Sequence, residues 1–271
     1  MDYEYLRVEQ TDDGVVTVWI DDPDNNNAVN FVMNRELADE IERIDGDDSA
    51  RVLVLTGTGR IFCSGGNIGQ MTAQGRSLEP DEKTLPERLY PARSDIRRVT
   101  VALRRMSKPA IAAVNGPAVG SGVGLAAGCD VRLAAREARL GWVFTRRGIL
   151  PDDGCLKLVL DGLGYARTFE WGVRGGRLEA EEALSWGFVS EVVERDELLP
   201  RAHALAREIV DSVPPLTARL FKLALVDALD RPLEEAIRFT ERAQQLARES
   251  EDHTEALRAY AERRPPTWTG R

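Results

Sequence analysis

Short runs of β-branched and aliphatic residues recur through the first half of the chain: residues 15–20 (VVTVWI), 52–56 (VLVLT), 110–114 (AIAAV) and 131–135 (VRLAA). Their length and composition predict strands. Between the first two runs, Phe31, Met33, Leu37, Ile41 and Ile44 fall at helical spacing, and Asn30 stands where an N-cap belongs. The rhythm is strand then helix, which predicts an α/β fold. Residues 72–93 are polar and interrupted by Gly75, Pro80, Pro86 and Pro91, the pattern of an excursion or lid rather than of an interdomain linker. Beyond Pro214-Pro215 the pattern is helical, with apolar positions at Leu216, Leu220, Leu223 and Val226 and again at Ile237, Leu246 and Leu257 on charged helices. A boundary near residue 200 is expected, dividing a core of 1–200 from a helical region of 201–271.

Composition narrows the functional classes. The 271 residues are 43% hydrophobic and 30% charged, which is ordinary for a globular chain able to bury a sizeable core. A formal net charge of -9 argues against a nucleic-acid surface, because binding by counterion release needs clustered Lys and Arg. No apolar run approaches the length of a membrane span, and the acidic start MDYEYLRVEQ lacks the basic and apolar regions of a signal peptide. Cys63, Cys129 and Cys155 are odd in number and widely spaced, as expected of reduced thiols in the cytoplasm. The two histidines, His203 and His253, have no Cys or His at ligand spacing, so no metal site is expected and both are assigned to solvated helix surface.

Two Gly-rich stretches carry the candidate chemistry. Ser64-Gly65-Gly66 follows the strand at 52–56, and Gly120-Ser121-Gly122 follows the strand at 110–114 and leads into small residues suited to a close-packed helix. Glycine admits backbone conformations and close approaches that a Cβ forbids. A helix N-terminus presents free N–H groups with partial positive charge, which suits an oxyanion. Other motifs fail. A dinucleotide fingerprint lacks its third glycine at Leu125, and a nucleophile elbow would need glycines two residues to either side of Ser121. A P-loop would need Gly-Lys-Ser or Gly-Lys-Thr, which is absent.

Together these segments resemble the crotonase, or enoyl-CoA hydratase/isomerase, family. Residues 23–30 (PDNNNAVN) resemble its first coenzyme A contact segment, and 62–68 its first oxyanion segment. Residues 108–130 (KPAIAAVNGPAVGSGVGLAAGCD) resemble its second, and 148–154 (GILPDDG) its active-site turn. The resemblance implies a spiral core of repeated ββα turns with a C-terminal helical trimerisation region, assembled as a homotrimer or a dimer of trimers. It implies an acyl-CoA thioester substrate, coenzyme A entering as part of that substrate with no separate cofactor. By position it places the oxyanion donors on the backbone N–H of Ser64 and Ser121. Ala28, Gly66, Asn67 and Ile68 fall beside the coenzyme A moiety, Trp142 and Phe144 on the wall of the acyl site, and Lys222 near the phosphates. Because Asn26 replaces a basic residue of many relatives, Arg60 is a further candidate for phosphate contact.

The same alignment removes the hydratase machinery. The two positions that carry the family's hydratase glutamates are Gly124 and Phe144 here, and neither transfers a proton. Asp152 matches a position where some isomerase and dehalogenase members carry a functional aspartate, with Trp142, Phe144 and Leu150 expected to desolvate it. Asp153 is then the helix cap, although the order of the two can be reversed. The resemblance thus implies a double-bond isomerase with Asp152 as proton shuttle. Other enolate chemistry, with water or Arg146 and Arg147 contributing, and a catalytically silent acyl-CoA-binding scaffold are the alternatives.

Overall fold

The computed structural model describes residues 3–66 and 97–270. The predicted excursion at 72–93, together with Asn67 and Ile68, lies outside the described residues.

The chain opens with strands β1 (Leu6–Gln10) and β2 (Val15–Ile20), then α1 (Phe31–Gly46), β3 (Val52–Gly57), α2 (Arg98–Arg105), β4 (Ala110–Val114), β5 (Ala118–Val119) and α3 (Ser121–Gly128). It continues through β6 (Val131–Ala135), β7 (Arg139–Gly141), α4 (Cys155–Arg174), β8 (Arg177–Glu179), α5 (Ala180–Ser185) and β9 (Glu191–Val193). Helices α6 (Arg195–Ser212), α7 (Pro215–Ala228), α8 (Leu233–Arg248) and α9 (Glu251–Glu262) complete it. All four predicted strands form, and Asn30 caps α1 as expected, its side chain accepting the Met33 N–H at 2.9 Å.

Among the described residues the main sheet runs β1-β2-β3-β4-β6-β9, parallel except for the β1-β2 hairpin. A smaller sheet, β5-β7-β8, lies beside it and is extended by isolated bridges from Cys63 to Ala118 and from Val29 to Gly66. Each turn of the chain therefore lays one strand in the main sheet, one short segment in the smaller ladder, and then a helix. Residues β4, β5 and α3 make one such turn, and β6, β7 and α4 the next. This is the ββα spiral that the motifs implied.

Both faces of the main sheet are covered, which explains why its strands read as continuous apolar runs rather than alternating ones. Val16, Val18, Ile20, Leu53 and Leu55 face the core shared with α1 to α4. Val15, Val52, Val54, Ile111 and Leu133 face Leu198, Ala202 and Ala206 of α6. Helix α6 thus belongs to the core layer and runs straight through the expected boundary at 200. It ends at Ser212, and Pro214 and Pro215 separate it from α7.

One histidine departs from expectation. His203, on α6, is half-buried and its Nε2 lies 2.9 Å from the Thr17 hydroxyl of β2. Burial, with Arg207 adding repulsion, holds its pKa below the ordinary histidine value. The folded state therefore favours neutral His203, a contribution present above the unfolded pKa of about 6.5 and lost as pH falls through the lower folded value. Urea midpoints measured from pH 7.5 down to 4.5 should fall less steeply for His203→Gln than for the parent chain in that window.

Candidate active site

A cavity opens between α1, the two Gly-rich stretches and the turn before α4. Two hydrogen-bonded asparagines, one buried and one half-buried, hold the segments around it. Asn27 sits at φ 53°, fully buried, with its side chain donating to the Thr58 and Ile61 carbonyls at 3.0 and 2.7 Å and accepting the Asp22 N–H at 2.9 Å. Asn115 exchanges hydrogen bonds with the Gly57 backbone, at 3.1 Å from its N–H and 2.9 Å to its carbonyl. These clamps fix the entry of each glycine stretch. Sequence reading passed over both, although an Asn run before a helix is a signal for left-handed backbone, which Asn tolerates.

The stretches are pressed against each other. Val119 N–H donates to the Cys63 carbonyl at 2.8 Å. A Cβ on Gly65, at φ 94°, would fall 2.6 Å from the Val119 carbonyl oxygen, and one on Gly122 would fall 2.4 Å from that of Cys63. Only glycine permits this contact.

The contact sorts the N–H groups. Ser121 opens α3, so its N–H has no helical carbonyl behind it. Ser64, the other expected donor, is committed elsewhere: its N–H donates to the Asn26 carbonyl at 3.2 Å. Gly65 N–H turns toward the Cys63 sulfur at 3.4 Å. Gly66 N–H has no acceptor among the described residues and lines the cavity. The free donor of the first stretch is therefore two residues later than expected, because the Asn26 turn reaches back to satisfy Ser64.

Other expected residues separate likewise. Phe144 is buried in the cavity wall, but Trp142 is not in that wall. It packs behind Phe144, ring centroids 5.6 Å apart, against Trp171 at 5.5 Å. Just past the end of β7, it turns into the core against α4. Leu150 is 73% exposed and so does not desolvate Asp152 in this chain. Ala28 is half-buried at the Asn turn, its N–H held by the Asn25 carbonyl at 3.1 Å, and lies outside the described cavity wall. Lys222 is far from a phosphate role. It is 6% exposed, paired with Asp130 at 2.8 Å and donating to the Lys108 carbonyl at 2.9 Å, so it ties α7 to the start of β4 and the end of α3. Arg60 is exposed, and Arg146 bonds the Arg174 carbonyl at 3.2 Å, whereas Arg147 lines the cavity.

The two aspartates take different positions. Asp152 is exposed on the cavity and makes no hydrogen bond or ion pair among the described residues. Asp153 is buried, and its Oδ1 accepts the Cys155 N–H at 3.1 Å at the start of α4. The first N–H of α4 is thus held by Asp153, one residue before the Gly154 N-cap. Burial pushes the Cys63 thiol up to about 12 and Cys155 well above its usual value, which favours the S–H form of both.

With two outward N–H groups and a free carboxylate around one cavity, the comparisons with known proteins are specific. The enoyl-CoA hydratase/isomerase family model matches residues 10–271, and the chain belongs to that family. It is 33% identical over 271 residues to 1,2-epoxyphenylacetyl-CoA isomerase of Escherichia coli (strain K12), covering 100% of both chains. It is 31% identical over 257 residues to (E)-benzylidenesuccinyl-CoA hydratase of Thauera aromatica, covering 94% of this chain and 96% of that protein. The crystal structure of enoyl-CoA hydratase from Bacillus anthracis superposes with a TM-score of 0.89 at 27% identity, covering 99% of this chain and 100% of that one. The fold is that of the crotonases. No helix among the described residues is long and apolar enough to cross a membrane.

If Lys222 is a structural tie, Lys222→Met leaves Asp130 short of a partner and lowers stability by about 2 kcal/mol. Affinity for an acyl-CoA, measured by isothermal titration calorimetry, should stay within twofold.

Proposed function

We propose that this chain binds an acyl-CoA thioester, holds its enolate oxygen between the N–H groups of Gly66 and Ser121, and moves a double bond with Asp152 as proton shuttle. The observation that supports the reading is the coincidence of those two donors with a carboxylate, none of the three with a partner among the described residues and all lining one cavity. Donors aimed at the developing oxyanion stabilise it without reorganisation and make C2–H acidic enough for a carboxylate to remove. With Gly124 and Phe144 in the hydratase positions, the carboxylates left in the described wall are those of Asp152 and Asp153. Proton removal and return need no cofactor.

Gly66 lies beside the thioester in this reading and Ala28 toward the coenzyme A, the part of the substrate to which the resemblance also assigns Asn67 and Ile68. Phe144, Val143 and Ile149 form the apolar side of the acyl site, which suits an unsaturated or aromatic acyl group. Arg147 in the same wall favours a second reading, in which the enolate is used for ring opening, hydrolysis or C–C cleavage with an oxyanion leaving toward the guanidinium. The working unit is a trimer or a pair of trimers. Tyr165, Phe169 and Val173 on α4, with Phe221 and Leu225 on α7, are exposed apolar side chains that such an assembly would cover.

Incubation of the purified chain with a 3-enoyl-CoA should give the 2-enoyl isomer of unchanged mass. Asp152→Asn should cut that turnover by at least about 10²-fold with acyl-CoA affinity retained. Unchanged turnover would remove Asp152 from the reaction, and a product heavier by one water, or free coenzyme A, would favour the second reading.

A further inference from the structure

We propose that Asp153 is a second proton-carrying carboxyl in the acyl cavity, delivering a proton to the far end of the shifting double bond while Asp152 removes one beside the thioester. The proposal rests on the isomerase reading above and divides between two carboxyls the proton transfer given there to Asp152 alone.

Capping occupies only one of the two oxygens of Asp153. Oδ1 takes the Cys155 N–H, but Oδ2 is buried without a hydrogen-bond partner among the described residues, in a side chain that is 3% exposed and forms part of the cavity wall. None of the ion pairs among the described residues includes it. A buried polar oxygen left bare costs free energy comparable to a lost hydrogen bond, so it calls for a proton of its own or a donor from whatever fills the cavity.

The space it occupies was opened by Gly124. A Cβ at that position would lie 3.4 Å from Asp153 Oδ2, 3.7 Å from its Cγ and 3.1 Å from the Cys155 Cβ. Helix α3 therefore offers bare backbone where the carboxyl lies against it. Gly124 stands three residues after Ser121, on the same face of α3, so the carboxyl lies alongside the helix whose first N–H faces the substrate oxygen. The Thr100 hydroxyl donates to the Asp153 carbonyl and fixes the turn. Asp152 is exposed and Asp153 is enclosed, which puts the first in reach of solvent and the second deeper along the acyl chain.

The resulting step balances. Asp152 takes the C2 proton of a 3-enoyl thioester, and the C–H electron pair enters the dienolate held at Gly66 and Ser121. The dienolate reforms the thioester carbonyl, the double bond shifts to C2–C3, and C4 forms its new C–H bond with the proton of the Asp153 carboxyl. Asp152 then gives its proton to solvent, and water entering the emptied cavity returns one to Asp153. The hydrogen gained at C4 thus comes from solvent. A single shuttling carboxylate would instead carry the C2 hydrogen to C4.

The test follows 3-hexenoyl-CoA in D2O through its first turnovers, reading deuterium at C2 of recovered substrate and at C4 of product for the parent chain, Asp152→Asn and Asp153→Asn. Asparagine at 153 keeps an oxygen for the Cys155 N–H, so the cap and the melting temperature are retained. We expect one deuterium at C4 in the parent product. Asp153→Asn should keep C2 exchange and lose at least about 10²-fold of product formation, whereas Asp152→Asn should lose both. Parent product with C2 protium carried to C4, or an Asp153→Asn chain that isomerises at the parent rate, overturns the proposal and leaves the isomerase reading standing. A parent chain showing neither C2 exchange nor product removes both.

Discussion

The close approach of two backbone segments is the constraint on which the site depends. Gly65 lies against the Val119 carbonyl and Gly122 against the Cys63 carbonyl, at separations no Cβ could share. This contact is one rung of the smaller ladder, since Cys63 bridges Ala118 while Val119 N–H bonds Cys63. It brings the end of one ββα turn beside the start of the next helix, and so places Gly66 N–H and Ser121 N–H on a common cavity. Electrostatic stabilisation of an oxyanion is strongest where donors are fixed in advance, and here the spiral itself fixes them.

A second economy follows at the turn before α4. Helix α4 begins at Cys155 after Gly154, at φ 90°, and the two aspartates before that glycine lie in different surroundings. Asp152 faces the open cavity, while Asp153 folds inward to hold the first N–H of the helix. The inward carboxyl fits because α3 carries Gly124 at the point of contact. A residue read as losing the chemistry of one helix also gives room to a group from the neighbouring turn. Substitutions at 124 and 153 are therefore coupled through shared space.

Some features were legible without any coordinates. Apolar runs at 15–20, 52–56, 110–114 and 131–135 read as strands and form them, and the Asn30 cap was suggested by its place before a helical period. The ordered motifs from Pro23 to Gly154 implied the family, which the match over residues 10–271 shows. The chain beyond Pro214-Pro215 is helical, as its apolar spacing predicted, while α6 before it packs on the main sheet. Amphipathicity shows that α6 has an apolar face and not which layer that face meets.

The sequence by itself determined which backbone positions had to be glycine, which segments had to be strands, and that Asp152 and Asp153 stood on the turn after the second glycine stretch. Only the tertiary structure decided which groups were left free. Ser64 lost its N–H to Asn26, Trp142 turned into the core against Trp171, and Lys222 gave its charge to Asp130, each through a partner distant in the chain. Hydrogen-bond satisfaction is settled between segments, so a donor or carboxyl is known to be available only once every neighbour that could claim it has been placed.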